Sequence, residues 1–201
     1  MSTHINSFLC LGDSYTIGES VALHQSYPYQ TVQLLRKAGL HFHAPEIIAQ
    51  TGWTSFELAD HLINWKGNES YDFVSLLIGV NNQYRGLLIT DFANDFEFLL
   101  KKAIHLANNK SEHVIVLSIP DWTVTPFAAT QKKKASGKEI EAYNEICKML
   151  SSKYHTHYID ITEETRLAGK DISLLTDDKL HYTAKAYSQW ASKVFKVINK
   201  Q

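Results

Sequence analysis

Cysteine is nearly absent from this chain of 201 residues: Cys10 lies in an apolar run and Cys147 in a helical stretch, and there is no third. Two such residues make neither a disulfide framework nor a metal-ligand pair, so both read as buried apolar fillers. Surplus charge is missing as well. Twenty Lys+Arg stand against 21 Asp+Glu, a formal net charge of −1. That removes the electrostatic footprint of a nucleic-acid binder, and the run Lys132-Lys133-Lys134 reads as a solvated loop. No apolar run approaches the roughly 18 residues of a membrane span. The opening M-S-T-H-I-N-S has no basic stretch followed by an apolar one. The chain as it stands therefore reads as cytoplasmic, a signal peptide already removed being invisible in it. Repeats and low-complexity segments are absent too. A hydrophobic content of 44% over 201 residues suits one domain, residues 1–201, around one sizeable core.

What is present is an alternation of short apolar runs with amphipathic stretches. Ile5, Phe8, Leu9, Cys10 and Leu11 form a strand ended by Gly12, and residues 46–50, 71–79, 113–119 and 157–161 read as four more. Between them lie helical patterns over residues 29–38, from Thr54 through Phe56, Leu58, Leu62, Ile63 and Trp65, from Thr90 onward, and over residues 138–153. Thr54 with Glu57 is a capping box. Phe92, Phe96, Leu99, Leu100, Ala103 and Ala107 make a core-facing stripe, and a last helix after Thr183 carries Tyr187, Trp190, Ala191, Val194, Phe195 and Ile198. Five strand–helix alternations predict an α/β fold with a five-stranded parallel sheet covered on both faces. Residues 80–86 and 121–137 read as loops at strand ends, the second long enough to suggest function.

Candidate chemistry gathers at those strand ends. Gly12 lets the chain leave the first strand, and Asp13 and Ser14 suit a turn or helix start, so Ser14 sits where open α/β sheets bind ligands. Taken alone, the stretch suits an ordinary turn or N-cap serine better. Asp178 and His181, three residues apart before the last helix, can form a general base, the carboxylate fixing the imidazole tautomer so that Nε2 takes a proton from Ser14. The elbow G-x-S-x-G is absent, because Thr16 occupies the second glycine position. Gly52 and Ser14 can offer backbone N–H groups, and Asn81 a side-chain amide, to a developing oxyanion. A turn glycine and a turn asparagine are the alternative readings. His41-x-His43 and His155-x-His157 lack a companion ligand set and read as surface or strand-edge residues.

Four blocks in order, Gly12-Asp13-Ser14, Gly52, Gly79-Val80-Asn81 and Asp178-Lys179-Leu180-His181, resemble those of the SGNH (GDSL) hydrolases over nearly the whole chain. The resemblance implies a flavodoxin-like three-layer α/β/α sandwich and a Ser14-His181-Asp178 triad with an oxyanion hole from Ser14, Gly52 and Asn81. It also implies no metal or organic cofactor. Tyr15 replaces the family leucine, and Asn82 replaces the aspartate that often follows the family asparagine, so the bracing of the third loop is open. The expected activity is a serine esterase acting on a small-molecule ester: a small acyl ester, a carbohydrate acetyl ester or a lysophospholipid. Tyr84, Arg85, Trp122 and Phe127 are the candidate pocket walls. Acyl transfer to a sugar or alcohol by the same triad is one alternative. Non-enzymatic binding of a phosphate-bearing ligand is another, disfavoured because G-D-S-Y-T-I-G is poor in glycine. Acyl chain length, alcohol and oligomeric state are left open.

Overall fold

The computed structural model describes residues 4–131 and 136–201; the lysine run at 132–134 lies outside the described residues. The apolar runs become strands β1 (Phe8–Gly12), β2 (Glu46–Ala49), β3 (Phe73–Leu77), β4 (Val114–Leu117) and β5 (His157–Ile159). They pair in parallel in the order β2-β1-β3-β4-β5. Every residue of β1, β3 and β4 is buried, as befits interior strands with helices on both faces, while the edge strands β2 and β5 are partly exposed. In register, Gly12 stands level with Ala49 on one side and Leu77 on the other. Only glycine fits there. A Cβ on Gly12 would lie 2.4 Å from the Leu77 carbonyl oxygen and 2.1 Å from Thr16 Oγ1.

The helices are α1 (Ser14–Ile17), α2 (Tyr27–Lys37), α3 (Ser55–Asn64), α4 (Val80–Arg85), α5 (Ile89–Leu106), α6 (Pro126–Thr130), α7 (Gly137–Lys153), α8 (Thr162–Arg166) and α9 (Ala184–Ile198). α2 packs on α9 across one face of the sheet, and α5 packs between α3 and α7 across the other, giving the flavodoxin-like three-layer sandwich. The stripe Phe92, Phe96, Leu99, Leu100, Ala103 and Ala107 is fully buried. Trp190 seals α9 against α2, its ring centroid 6.4 Å from Tyr27, 5.4 Å from Tyr182 and 4.9 Å from Tyr187. Burying a side chain of this kind stabilises by about 2–3 kcal/mol.

Three segments differ from the pattern reading. Residues 80–85 are helical, because Gly79 at φ +128° turns the chain sharply enough for a helix to start directly off β3. In α3 only Ser55, Leu58, Ala59 and Leu62 are buried; Phe56 and Ile63 are exposed, and Trp65 ends the helix and stacks near Tyr71 at 6.3 Å. The span 121–137 holds a 3-10 turn at Trp122–Val124, capped by the Asp121 carboxylate on the Thr123 N–H, and then α6, opened by Pro126. The Thr54–Glu57 capping box forms as expected, with Glu57 Oε2 accepting from the Thr54 N–H at 2.7 Å. No helix of the described residues is long and apolar enough to cross a membrane.

With β1 flanked by β2 and β3, the winding reverses at β1, and the loops on either side of it diverge. A crevice at the carboxyl ends of these strands follows from that topology.

Candidate active site

Ser14 is the first residue of α1, with only Asp13 between it and the end of β1. Asp13, in extended conformation, caps this helix by accepting from the Tyr15 N–H at 3.0 Å, which points the chain back over the sheet edge and aims the Ser14 side chain into the crevice. Asp13 is fully buried, and desolvation pushes its carboxyl up to about 7 against the opposing Tyr15 N–H bond. It touches neither His181 nor the Ser14 hydroxyl through any hydrogen bond among the described residues, which suits its reading as a turn residue.

The last block folds into a tight loop. Thr176 N–H donates to the His181 carbonyl, Leu175 bridges to Tyr182, and Lys179 takes a left-handed φ of +60°. This geometry brings Asp178 beside the ring it precedes. His181 Nδ1 stands 2.7 Å from Asp178 Oδ2, and His181 Nε2 stands 3.0 Å from Ser14 Oγ. Asp178, not Asp177, makes the contact. Its other oxygen, Oδ1, accepts from the backbone N–H groups of Leu180 and His181 and from the Thr176 hydroxyl, each at 2.9 Å. Partial burial works against the charged form, but the His181 ring, those two N–H groups and the Ser20 hydroxyl hold the Asp178 carboxyl well below the usual carboxylate range. Tyr15 supports the imidazole, the two ring centroids lying 5.2 Å apart.

The oxyanion candidates converge on the same crevice, which is lined by Ser14, Gly52, Asn81 and His181. Gly52 has φ +84°, a left-handed conformation in which a side chain would be strained at the point where substrate would approach. Asn81 Nδ2 donates one hydrogen to the Trp53 carbonyl at 2.9 Å and so keeps a second for another acceptor. Asn82 is buried and turned away: its Oδ1 accepts from the Ser55 N–H at 2.9 Å and its Nδ2 donates to Ser55 Oγ at 2.7 Å. The brace open at the sequence level is therefore Asn82 on the start of α3.

Tyr84, Trp122 and Phe127 both wall the cleft and pack on one another, with ring centroids 5.1 to 6.2 Å apart. Gln131 accepts from the Tyr84 hydroxyl at 3.0 Å, and Gln83 accepts from Trp122 Nε1 at 2.7 Å, so two of the three rings are pinned. Arg85 differs from its expected place. Its guanidinium faces the Gly52 carbonyl and Glu57 instead of the cleft, because helix α4 carries it round toward the loop after β2. The cleft also takes Tyr15, Thr51, Val80 and Leu180 as walls and has a volume of about 140 Å³. Sequence reasoning missed Leu180, whose place beside His181 was a usable signal, and Ser20 and Thr176, which carried none. Among the described residues no three His, Cys, Asp or Glu side chains converge as metal ligands, and Cys10 and Cys147 are both buried and free.

Solved structures with the same fold include three esterases and acylhydrolases. The psychrotrophic esterase EstA from Pseudoalteromonas sp., in a structure inhibited by monoethylphosphonate, has TM-score 0.74 at 17% identity, covering 97% of each chain. A lipase/acylhydrolase from Enterococcus faecalis has TM-score 0.73 at 18% identity, covering 96% of each. The acetylxylan esterase Axe2 from Geobacillus stearothermophilus has TM-score 0.74 at 16% identity, covering 98% of this chain and 96% of the other. No curated protein matches significantly in sequence. The model of the GDSL-like lipase/acylhydrolase family matches residues 10–189, a span that contains all four blocks from Gly12 to His181, and by that match the chain belongs to this family and is a carboxylic ester hydrolase.

Proposed function

We propose that the chain hydrolyses esters of short acyl groups through an acyl-enzyme on Ser14. The observation that carries this reading is the continuous path Ser14 Oγ, His181 Nε2, His181 Nδ1, Asp178 Oδ2, with separations of 3.0 and 2.7 Å, opening on a small apolar cleft. Ser14 attacks the ester carbonyl while His181 takes its proton, and Asp178 stabilises the imidazolium. The tetrahedral oxyanion accepts from the Ser14 and Gly52 N–H groups and the free hydrogen of the Asn81 amide. Collapse returns the proton to the departing alcohol. Water, activated by the same histidine, then releases the acid.

Size argues for the acyl class. A cleft of about 140 Å³ is under half the lower bound of about 300 Å³ typical of pockets for drug-sized ligands. It suits an acetyl or similarly short group against Tyr84, Trp122 and Phe127 better than a long chain, and a carbohydrate acetyl ester, the substrate class named for Axe2, is within that range. Steady-state hydrolysis of p-nitrophenyl esters from acetate to palmitate tests it. The expected result is a kcat/KM for acetate or butyrate at least about tenfold above that for octanoate. A rate that rises steadily with chain length overturns the short-acyl reading.

A further inference from the structure

The turn joining α1 to α2 touches two separate parts of the site. Gly18 closes α1 in a left-handed conformation, and Glu19 and Ser20 follow. The Glu19 carboxylate accepts from the Thr51 hydroxyl, one residue before Gly52. Ser20 Oγ donates to Asp178 Oδ2 at 2.8 Å, the same oxygen that faces His181 Nδ1.

The origin of each Asp178 partner separates Ser20 from the rest. Thr176, Leu180 and His181 belong to the loop that carries Asp178, and they move with it. Ser20, 158 positions away in the chain, is among the described residues the one partner that ties this carboxylate to the segment carrying Ser14. It does so from an unfavourable backbone. Ser20 is exposed and has φ +66°, a region that glycine or asparagine enters more cheaply. Strained, non-glycine residues that persist at a site point to a constraint that outweighs the local cost. Here that constraint is the hydroxyl, since an exposed side chain contributes little packing.

We infer that Ser20 is a positioning residue for Asp178, its hydroxyl fixing from outside the loop the carboxylate oxygen that orients the His181 ring. The inference rests on the acyl-transfer reading of Ser14, His181 and Asp178.

Ser20→Gly separates positioning from packing, because it removes the hydroxyl and relieves the backbone in one step. It is expected to melt at the wild-type temperature or roughly 2 °C above it. Its kcat is expected to fall about tenfold with KM changed by less than about twofold, and the downfield proton resonance of His181 Nδ1–H to move upfield. Ser20→Ala is expected to lose the same kcat without the gain in melting temperature. Wild-type kcat in both variants overturns the assignment, as does a kcat loss in Ser20→Gly that comes with a lowered melting temperature. Ser14→Ala run alongside distinguishes the two levels: turnover retained there overturns the acyl-transfer reading itself, while turnover lost there and unchanged in both Ser20 variants overturns the Ser20 assignment alone.

Discussion

Ser14→Ala is expected to fold as the wild type does and to lose turnover by a factor of about 10⁴ or more. The fold tolerates the change because the hydroxyl has His181 Nε2 as its partner and holds no element of the core together. Alanine also suits the first position of α1, and the cap comes from Asp13, not Ser14. The chemistry does not tolerate it. In the proposed mechanism, loss of Oγ leaves no atom to accept the acyl group, and only water near His181 remains to react. Steady-state ester hydrolysis together with circular dichroism and thermal melting checks both halves. A folded variant with turnover within about tenfold of wild type would place the nucleophile elsewhere.

Asp178→Asn is the second large effect, with kcat expected to drop by about 10⁴. Both carboxylate oxygens accept from donors only: Thr176, Leu180 and the His181 N–H on one, Ser20 and the His181 ring on the other. An amide in the same place must turn its NH₂ toward one of those sets. The backbone donors cannot reverse, but the imidazole can change tautomer, so the amide faces the ring and Nδ1 becomes the acceptor. Nε2 then carries the proton and cannot take another from Ser14. Against the cost of partial burial, its hydrogen bonds hold the Asp178 carboxyl well below the usual carboxylate range, so the wild-type residue acts as a carboxylate throughout the pH range of an ordinary assay. Wild-type kcat for Asp178→Asn, measured at several pH values, would contradict the orienting role.

The parts of this site that could be read without coordinates are those whose chemistry is local. The strand into Gly12, the Thr54–Glu57 capping box and the Asp178–His181 spacing each involve residues within three or four positions, where geometry follows from residue type. The alternation of strands and helices carried the sheet for the same reason. Helix α4 was hidden because it is six residues long, polar, and opened by a glycine with no side-chain cap. Arg85 was misplaced by the same omission: read as loop, it faces the cleft, whereas one turn of helix carries it to Gly52 and Glu57. Phe56 and Ile63 share helical spacing with core residues, yet α3 turns them to solvent, a choice set by packing against α5. Ser20 on Asp178 and Asn82 on Ser55 join segments distant in the chain, and neither serine nor asparagine in a polar turn announces such a partner.

The most direct test of Ser14 as the acylated atom is intact-protein mass spectrometry and peptide mapping after reaction with an ethyl p-nitrophenyl phosphonate, applied to the wild type and to Ser14→Ala. The predicted result is a single phosphonyl adduct on the peptide containing Ser14, formed in step with loss of esterase activity and absent from the variant. An adduct on another residue that accompanies inactivation, or full inactivation of the wild type with Ser14 unmodified, would contradict it.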